Sequence, residues 1–272
     1  MGNIQIKINP IDTDIDTDTD INTNNYSGIN NTENGAKLLG KSQTNKKKYI
    51  LGIIDPQNDF LKGGALSVDD ADSVLAPINK LRFKCLKYMD TFLSQDFHPQ
   101  NHMSFATTHN VKISTKKELT LTMENGDTIN VTQDMWPSHC IVGTSGSEFS
   151  KDLIRDPTDK VFQKGTKTNV ESYSAFGDEF ENKYENTGLD IWLKSKNTTD
   201  IVLVGIATDF CVYNTTLDAI RLGYSVHLIR SCTRGVTVDT TNQAYKDMIS
   251  KKVHIYDDVD DFYKLNEQYF KI

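Results

Sequence analysis

Cys211 follows an apolar run, Ile201-Val202-Leu203-Val204-Gly205-Ile206, by way of Ala207-Thr208-Asp209-Phe210, and Tyr213, Leu217 and Ile220 then recur at helical spacing. A cysteine at such a strand-to-helix turn lies near a helix N-terminus, whose partial positive charge favours a nucleophilic thiolate. The same position also suits a small buried apolar side chain. Three more polar residues close apolar runs: Asp55 after residues 49–54, Asp96 after 88–94 and Lys164 after 161–163. An aspartate can take a thiol's proton, a lysine can hold both groups as anions, and a thiolate can attack a carbonyl carbon. Taken singly, the three read equally as a helix cap, a turn residue and a solvated lysine.

A second constellation is Asp96-Phe97-His98-Pro99-Gln100-Asn101-His102, with three potential metal ligands in seven residues of a chain that has six histidines. Asp96 and His98 face one side of an extended stretch. His139, in Trp136-Pro137-Ser138-His139-Cys140, could add an imidazole from elsewhere. Carboxylate and imidazole together suit zinc, iron or manganese; histidines that are simply hydrogen-bonded are the alternative. His109, His227 and His254 have no neighbouring ligands in sequence.

These residues need elements to position them. Strands are expected at 49–54, 88–94, 161–163, 201–206, 226–229 and 253–256. Helices are expected within 72–84, with Pro77 near the first turn, after Cys211 as far as Gly223, and within 240–250. The alternation predicts an α/β fold: an open, mostly parallel six-stranded sheet with helices on both faces. Right-handed crossovers place every carboxyl end on one edge, so Asp55, Asp96, Lys164 and Cys211 converge on the rim where such sheets bind ligands.

Residues 1–48 read as a low-complexity, disordered tail, with Asp12 to Asp20 alternating with Thr and Ile, then asparagines, then Lys46-Lys47-Lys48. Its charges cancel, so the net charge of −7 belongs to residues 49–272, and a phosphate-binding nucleic-acid surface is not expected there. No apolar run reaches the ~18 residues of a membrane span. Four widely spaced cysteines without a CxxC pair suit a reducing compartment, so the expectation is a soluble cytoplasmic protein, with the nucleus left open. Asn125-Gly126, between two alternating runs, signals a hairpin inserted around 107–134.

The runs Ile54-Asp55-Pro56-Gln57-Asn58-Asp59-Phe60, Gly63-Gly64-Ala65-Leu66, Gln95-Asp96-Phe97-His98-Pro99, His102-Met103-Ser104-Phe105, Trp136-Pro137-Ser138-His139-Cys140, Lys164-Gly165-Thr166 and Gly205-Ile206-Ala207-Thr208-Asp209-Phe210-Cys211-Val212 together resemble the nicotinamidase (pyrazinamidase) branch of the isochorismatase-like cysteine hydrolases. The resemblance covers about residues 49–260. It implies a catalytic set of Asp55, Lys164 and Cys211, and an oxyanion hole from the backbone of Ala207 and Cys211. It further implies a divalent metal, zinc first and iron or manganese next, held by Asp96, His98 and His139, with His102 a ligand in some members only. Phe60 and Trp136 match the aromatic pair around a pyridine ring, and Tyr173 matches a pocket-lining tyrosine. A cis peptide at Ile206–Ala207 is implied too. The implied activity is hydrolysis of nicotinamide, and of pyrazinamide, to the acid and ammonia in NAD salvage, with a homo-oligomer left open. The alternatives are a sister amidohydrolase acting on a carbamoyl compound and a non-catalytic ligand-binding homologue. Pro56 departs from the aliphatic residue common at that position.

Overall fold

Tyr49–Ile54 (β1) and Asp200–Ile206 (β6) are buried at every position, as strands covered on both faces must be, and their apolar, β-branched content suits that burial. The computed structural model describes residues 47–85, 87–122, 126, 128–178 and 186–270. Around the central pair lie β2 (Asp90–Asp96), β5 (Lys160–Lys164), β7 (Ser225–Arg234) and β8 (His254–Tyr256), in the order β5-β2-β1-β6-β7-β8. Every pairing is parallel.

Successive β1 side chains divide between two cores, as the two-residue period of a strand demands. Leu51 and Ile53 pack with Leu75, Ile78 and Leu81 of α1 (Leu75–Cys85) and Phe262 of α5 (Val259–Asn266). Ile50 and Ile54 pack with Leu193 of α2 (Leu189–Ser195), Val212 of α3 (Cys211–Arg221) and Met248 of α4 (Val238–Ser250). The chain runs outward from β1 through β2 to β5, then returns to lay β6, β7 and β8 on the other side of β1. The crevice between the carboxyl ends of β1 and β6 is therefore the topological switch point, where open α/β sheets bind ligands.

The strands differ from expectation mainly at their ends: β2 starts later and includes Asp96, β5 includes Lys164, and β7 runs on to Arg234. Pro77 sits in the first turn of α1, where a missing N–H costs nothing. Helices α2 and α5 were not anticipated. The first has only seven residues; the second is capped by the Asp258 carboxylate, which accepts from the Asp260 and Asp261 N–H groups.

A separate antiparallel hairpin joins β3 (Lys116–Thr122) to β4 (Thr128–Asp134). Of the stretch 1–48, residues 1–46 lie outside the described residues. Lys47 pairs with Asp200 at 3.0 Å, and the Lys48 carbonyl accepts from the Thr199 and Asp200 N–H groups.

Gly205 lets β6 approach β1 at the switch point. Its φ is +115°, and a Cβ there would lie 2.1 Å from the Ile54 carbonyl oxygen, so any side chain would push the two strands apart. Gly205→Ala should cost about 2 kcal/mol or more in a urea unfolding experiment; a variant as stable as the parent would show that the approach is not required.

Candidate active site

The strands β5, β2, β1 and β6 are consecutive in the sheet, and their carboxyl ends carry Lys164, Asp96, Asp55 and, five residues beyond β6, Cys211. Adjacent strands lie about 4.8 Å apart, so only a long side chain can join the edge of this row to its centre. Lys164, opposite Asp96 in register, does so. Its Nζ is 3.0 Å from Asp55 Oδ2, 3.4 Å from Cys211 Sγ and 3.1 Å from the Ser172 carbonyl oxygen, and it also donates to Asp96 Oδ1. Lys164 and Asp55 are wholly buried. Asp55 Oδ1 accepts from Ser94 Oγ at 2.7 Å, while Oδ2 has no hydrogen bond, its ion pair with Lys164 aside. That leaves it open to a proton from the neighbouring thiol, for Asp55, Asp96 and Cys211 present atoms within 4.8 Å of one another.

Burial pushes the Asp55 carboxyl up to about 6, against the pull of Lys164. Burial also disfavours the lysine's charge, yet Asp55 and Asp96 hold its pKa well above the ordinary value. The buried surroundings of Cys211 act against the helix terminus. Burial and the two carboxylates push the Cys211 thiol well above its usual range, outweighing Lys164. A thiol beside a carboxylate and an ammonium is the state these shifts favour.

Asp96, at the junction, faces a second cluster. Its Oδ2 lies 3.5 Å from His98 Nε2 and 3.9 Å from His139 Nε2. His98 Nδ1 is 2.9 Å from the Gly165 carbonyl and His139 Nδ1 2.8 Å from the Pro137 carbonyl. Each carbonyl accepts from Nδ1 and so turns Nε2 toward Asp96, the usual outer support of a metal-binding histidine. His98 Nε2 is buried without a hydrogen-bond partner. Charge agrees with a cation here: among the described residues, the buried carboxylates of Asp55, Asp96 and Glu171 all interact with the one Lys164 ammonium. These residues therefore fit a divalent metal. His102 is nearby, stacked on His98 with ring centroids 4.2 Å apart, but Ser104 Oγ and the Val170 carbonyl occupy its two nitrogens.

Above the Cys211 thiol opens a cleft of ≈ 420 Å³, counting its mouth. Phe60, Trp136 and Tyr173 line it, as do Ala207, Asp96 and His139. Trp136 and Tyr173 both pack on Phe210, with centroids 5.0 and 5.5 Å apart, and Phe60 packs on His139 at 5.5 Å. The Ile206–Ala207 peptide is cis. Among the described residues, neither the Ala207 nor the Cys211 N–H donates to a protein acceptor, so both are available to an oxygen bound beside the thiol.

The isochorismatase domain model matches residues 49–257. The chain belongs to the isochorismatase-domain family. Within the family it is similar to the nicotinamidase of Escherichia coli, 37% identical over 71% of this chain and 86% of that one. It is also similar to the solved pyrazinamidase of Pyrococcus horikoshii in complex with zinc (27% identity, TM-score 0.62, 76% and 98% of the two chains). The yeast nicotinamidase bound to the inhibitor nicotinaldehyde is a third such structure (25% identity, TM-score 0.70, 77% and 99%).

Several residues of this isochorismatase-type site escaped the sequence reading. Ser94 and Glu171 are single polar residues with no pattern around them. Leu66, Val68 and Val236 line the cleft from loops without periodicity. Asp209 holds the last of these loops, its carboxylate accepting from the Val236 N–H at 2.9 Å, the Thr237 N–H at 3.3 Å and the Thr240 hydroxyl. Its place inside the Ala207-to-Cys211 turn was the available signal. Removing Lys164 would leave buried carboxylates without their counter-charge, so Lys164→Met should cost about 3 kcal/mol or more in unfolding free energy. An unchanged urea midpoint would contradict the central placing of this ion pair.

Proposed function

We propose that the protein hydrolyses nicotinamide to nicotinate and ammonia through an acyl-enzyme on Cys211, as a step of nicotinamide salvage, and accepts pyrazinamide as a second substrate. The observation that carries this reading is the Cys211 thiol at the floor of an aromatic cleft, with a base, an ammonium and two unengaged N–H groups around it.

Asp55 takes the proton of Cys211, and Lys164 stabilises the resulting charge. The thiolate attacks the carboxamide carbon, and the Ala207 and Cys211 N–H groups receive the developing oxyanion. Asp55 returns the proton to the amide nitrogen as the C–N bond breaks, and ammonia leaves a thioester. A water, deprotonated by Asp55, then attacks the thioester carbon; nicotinate departs, and the sulfur regains its proton from Asp55. Phe60 and Trp136 hold the ring between them, with Tyr173 at its edge, and so keep the carboxamide within reach of the sulfur. Asp96, His98 and His139 are the residues that would hold a divalent metal, zinc first on the chemistry of the donor set and the zinc-bound relative. When bound, it would supply a Lewis-acid grip for the pyridine nitrogen.

Cys211→Ala and Asp55→Asn should each lower ammonia release from nicotinamide by about 10³-fold or more. Full activity in either variant would refute the mechanism, and an inactive parent protein that hydrolyses a urea-type carbamoyl compound would move the chain to a sister activity. Chelation should raise KM for nicotinamide, while alkylation of Cys211 by iodoacetamide stays within about threefold of the untreated rate, since that proton transfer belongs to Asp55 and Lys164. A thiol that stops reacting after chelation would assign the metal a part in making the nucleophile.

A further inference from the structure

The inward row of the hairpin is Leu119 and Leu121 on β3 and Ile129 and Val131 on β4, and at the base Lys117 is paired with Gln133. Gln133 continues an apolar row yet is 6% exposed. Burying an amide without a partner is costly, so a glutamine at such a position calls for one. Its Nε2 donates to the Tyr173 hydroxyl at 3.3 Å and to the Asp134 carbonyl at 3.0 Å. The Tyr173 hydroxyl also accepts from Trp136 Nε1 at 2.9 Å. Both donors come from the same stretch of chain, three residues apart. The hairpin ladder extends one step beyond β4, with the Met135 N–H donating to the Thr115 carbonyl and the Ser114 N–H to the Met135 carbonyl. Trp136 then pairs with the segment after His102, donating to the Ser104 carbonyl and accepting from the Ala106 N–H. The hairpin base thus delivers two N–H donors to one hydroxyl and fixes the Trp136 backbone between two anchors.

We infer that Gln133 is a positioning residue for ring binding: it holds the Tyr173 hydroxyl against Trp136 and so sets the aromatic wall of the cleft. The inference rests on the reading that this cleft takes a pyridine carboxamide, and it assigns the hairpin a part in substrate affinity. Gln133 touches none of the reacting groups, so its effect belongs in KM and not in the chemical step.

Gln133→Leu keeps the inward row apolar and should fold. Nicotinamide affinity is read by quenching of Trp136 fluorescence in a Trp192→Phe background, and turnover by ammonia release. The expected result is a rise of about three- to tenfold in both Kd and KM, with kcat within about twofold of the parent. In a Tyr173→Phe background the same substitution should change neither. Unchanged Kd and KM, or a rise of equal size when the hydroxyl is already absent, would overturn the inference. So would a fall confined to kcat or to the melting temperature, as a merely structural role gives. A parent protein that binds nicotinamide, loses affinity on Gln133→Leu and releases no ammonia would refute the reaction proposed above and leave this inference standing.

Discussion

A lysine ammonium sealed from water between two carboxylates is the interaction on which the rest of the site depends. Lys164 touches Asp55, Asp96 and Cys211, so one charge ties the Asp55–Cys211 pair to the Asp96-His98-His139 cluster. Neither half could be buried alone at low cost, because an unpaired charge in this setting is expensive. The same ammonium acts on both Asp55 and Cys211, since it pulls them toward their anions while burial pulls the other way. The outcome is a carboxyl raised to about 6 beside a thiol raised above its usual range. The proposed reaction needs a base of that kind, one able to accept a proton and give it back.

The sheet makes this arrangement possible. Its strand order sets the four residues in a line along one edge, and the parallel register places Lys164 opposite Asp96. A shorter cation on β5 would reach Asp96 and stop there. Gly205, where a side chain would strike the Ile54 carbonyl, keeps β6 close enough to β1 for Cys211 to stand beside Asp55. Around this polar floor the walls are largely aromatic, with Phe60, Trp136, Tyr173 and Phe210 lining the cleft that reaches Cys211.

Much of this was legible in the chain because strand ends are legible. Apolar runs closed by Asp55, Asp96, Lys164 and the turn to Cys211 imply a common rim once the sheet is parallel. The hairpin was equally readable from Asn125-Gly126 and its alternating flanks. What resisted reading were properties of packing. Ser94 points at Asp55 from inside a strand that already carries several polar residues, so nothing in the sequence sets it apart. Leu66, Val68 and Val236 reach the cleft from loops, where no periodicity marks an inward side chain. The direction of the Cys211 shift depends on burial and on two carboxylates from other strands, none of which the helix terminus alone reveals. His102 stands at a ligand position in sequence; its ring nitrogens lie against Ser104 and Val170, and it also falls within 4.8 Å of ligand atoms of His98 and Glu171, an arrangement only the fold reveals.

The central claim is covalent catalysis by Cys211 with Asp55 as the shuttle, and the first turnover tests it most directly. Protein mixed with nicotinamide in slight excess, quenched in acid over the first turnover and analysed by intact and peptide mass spectrometry, should carry one nicotinoyl group on the Cys211 peptide. The adduct should rise with the first ammonia released and then decay to nicotinate. First-turnover ammonia release with Cys211 unmodified at every quench time, or an adduct on another residue, would contradict the account.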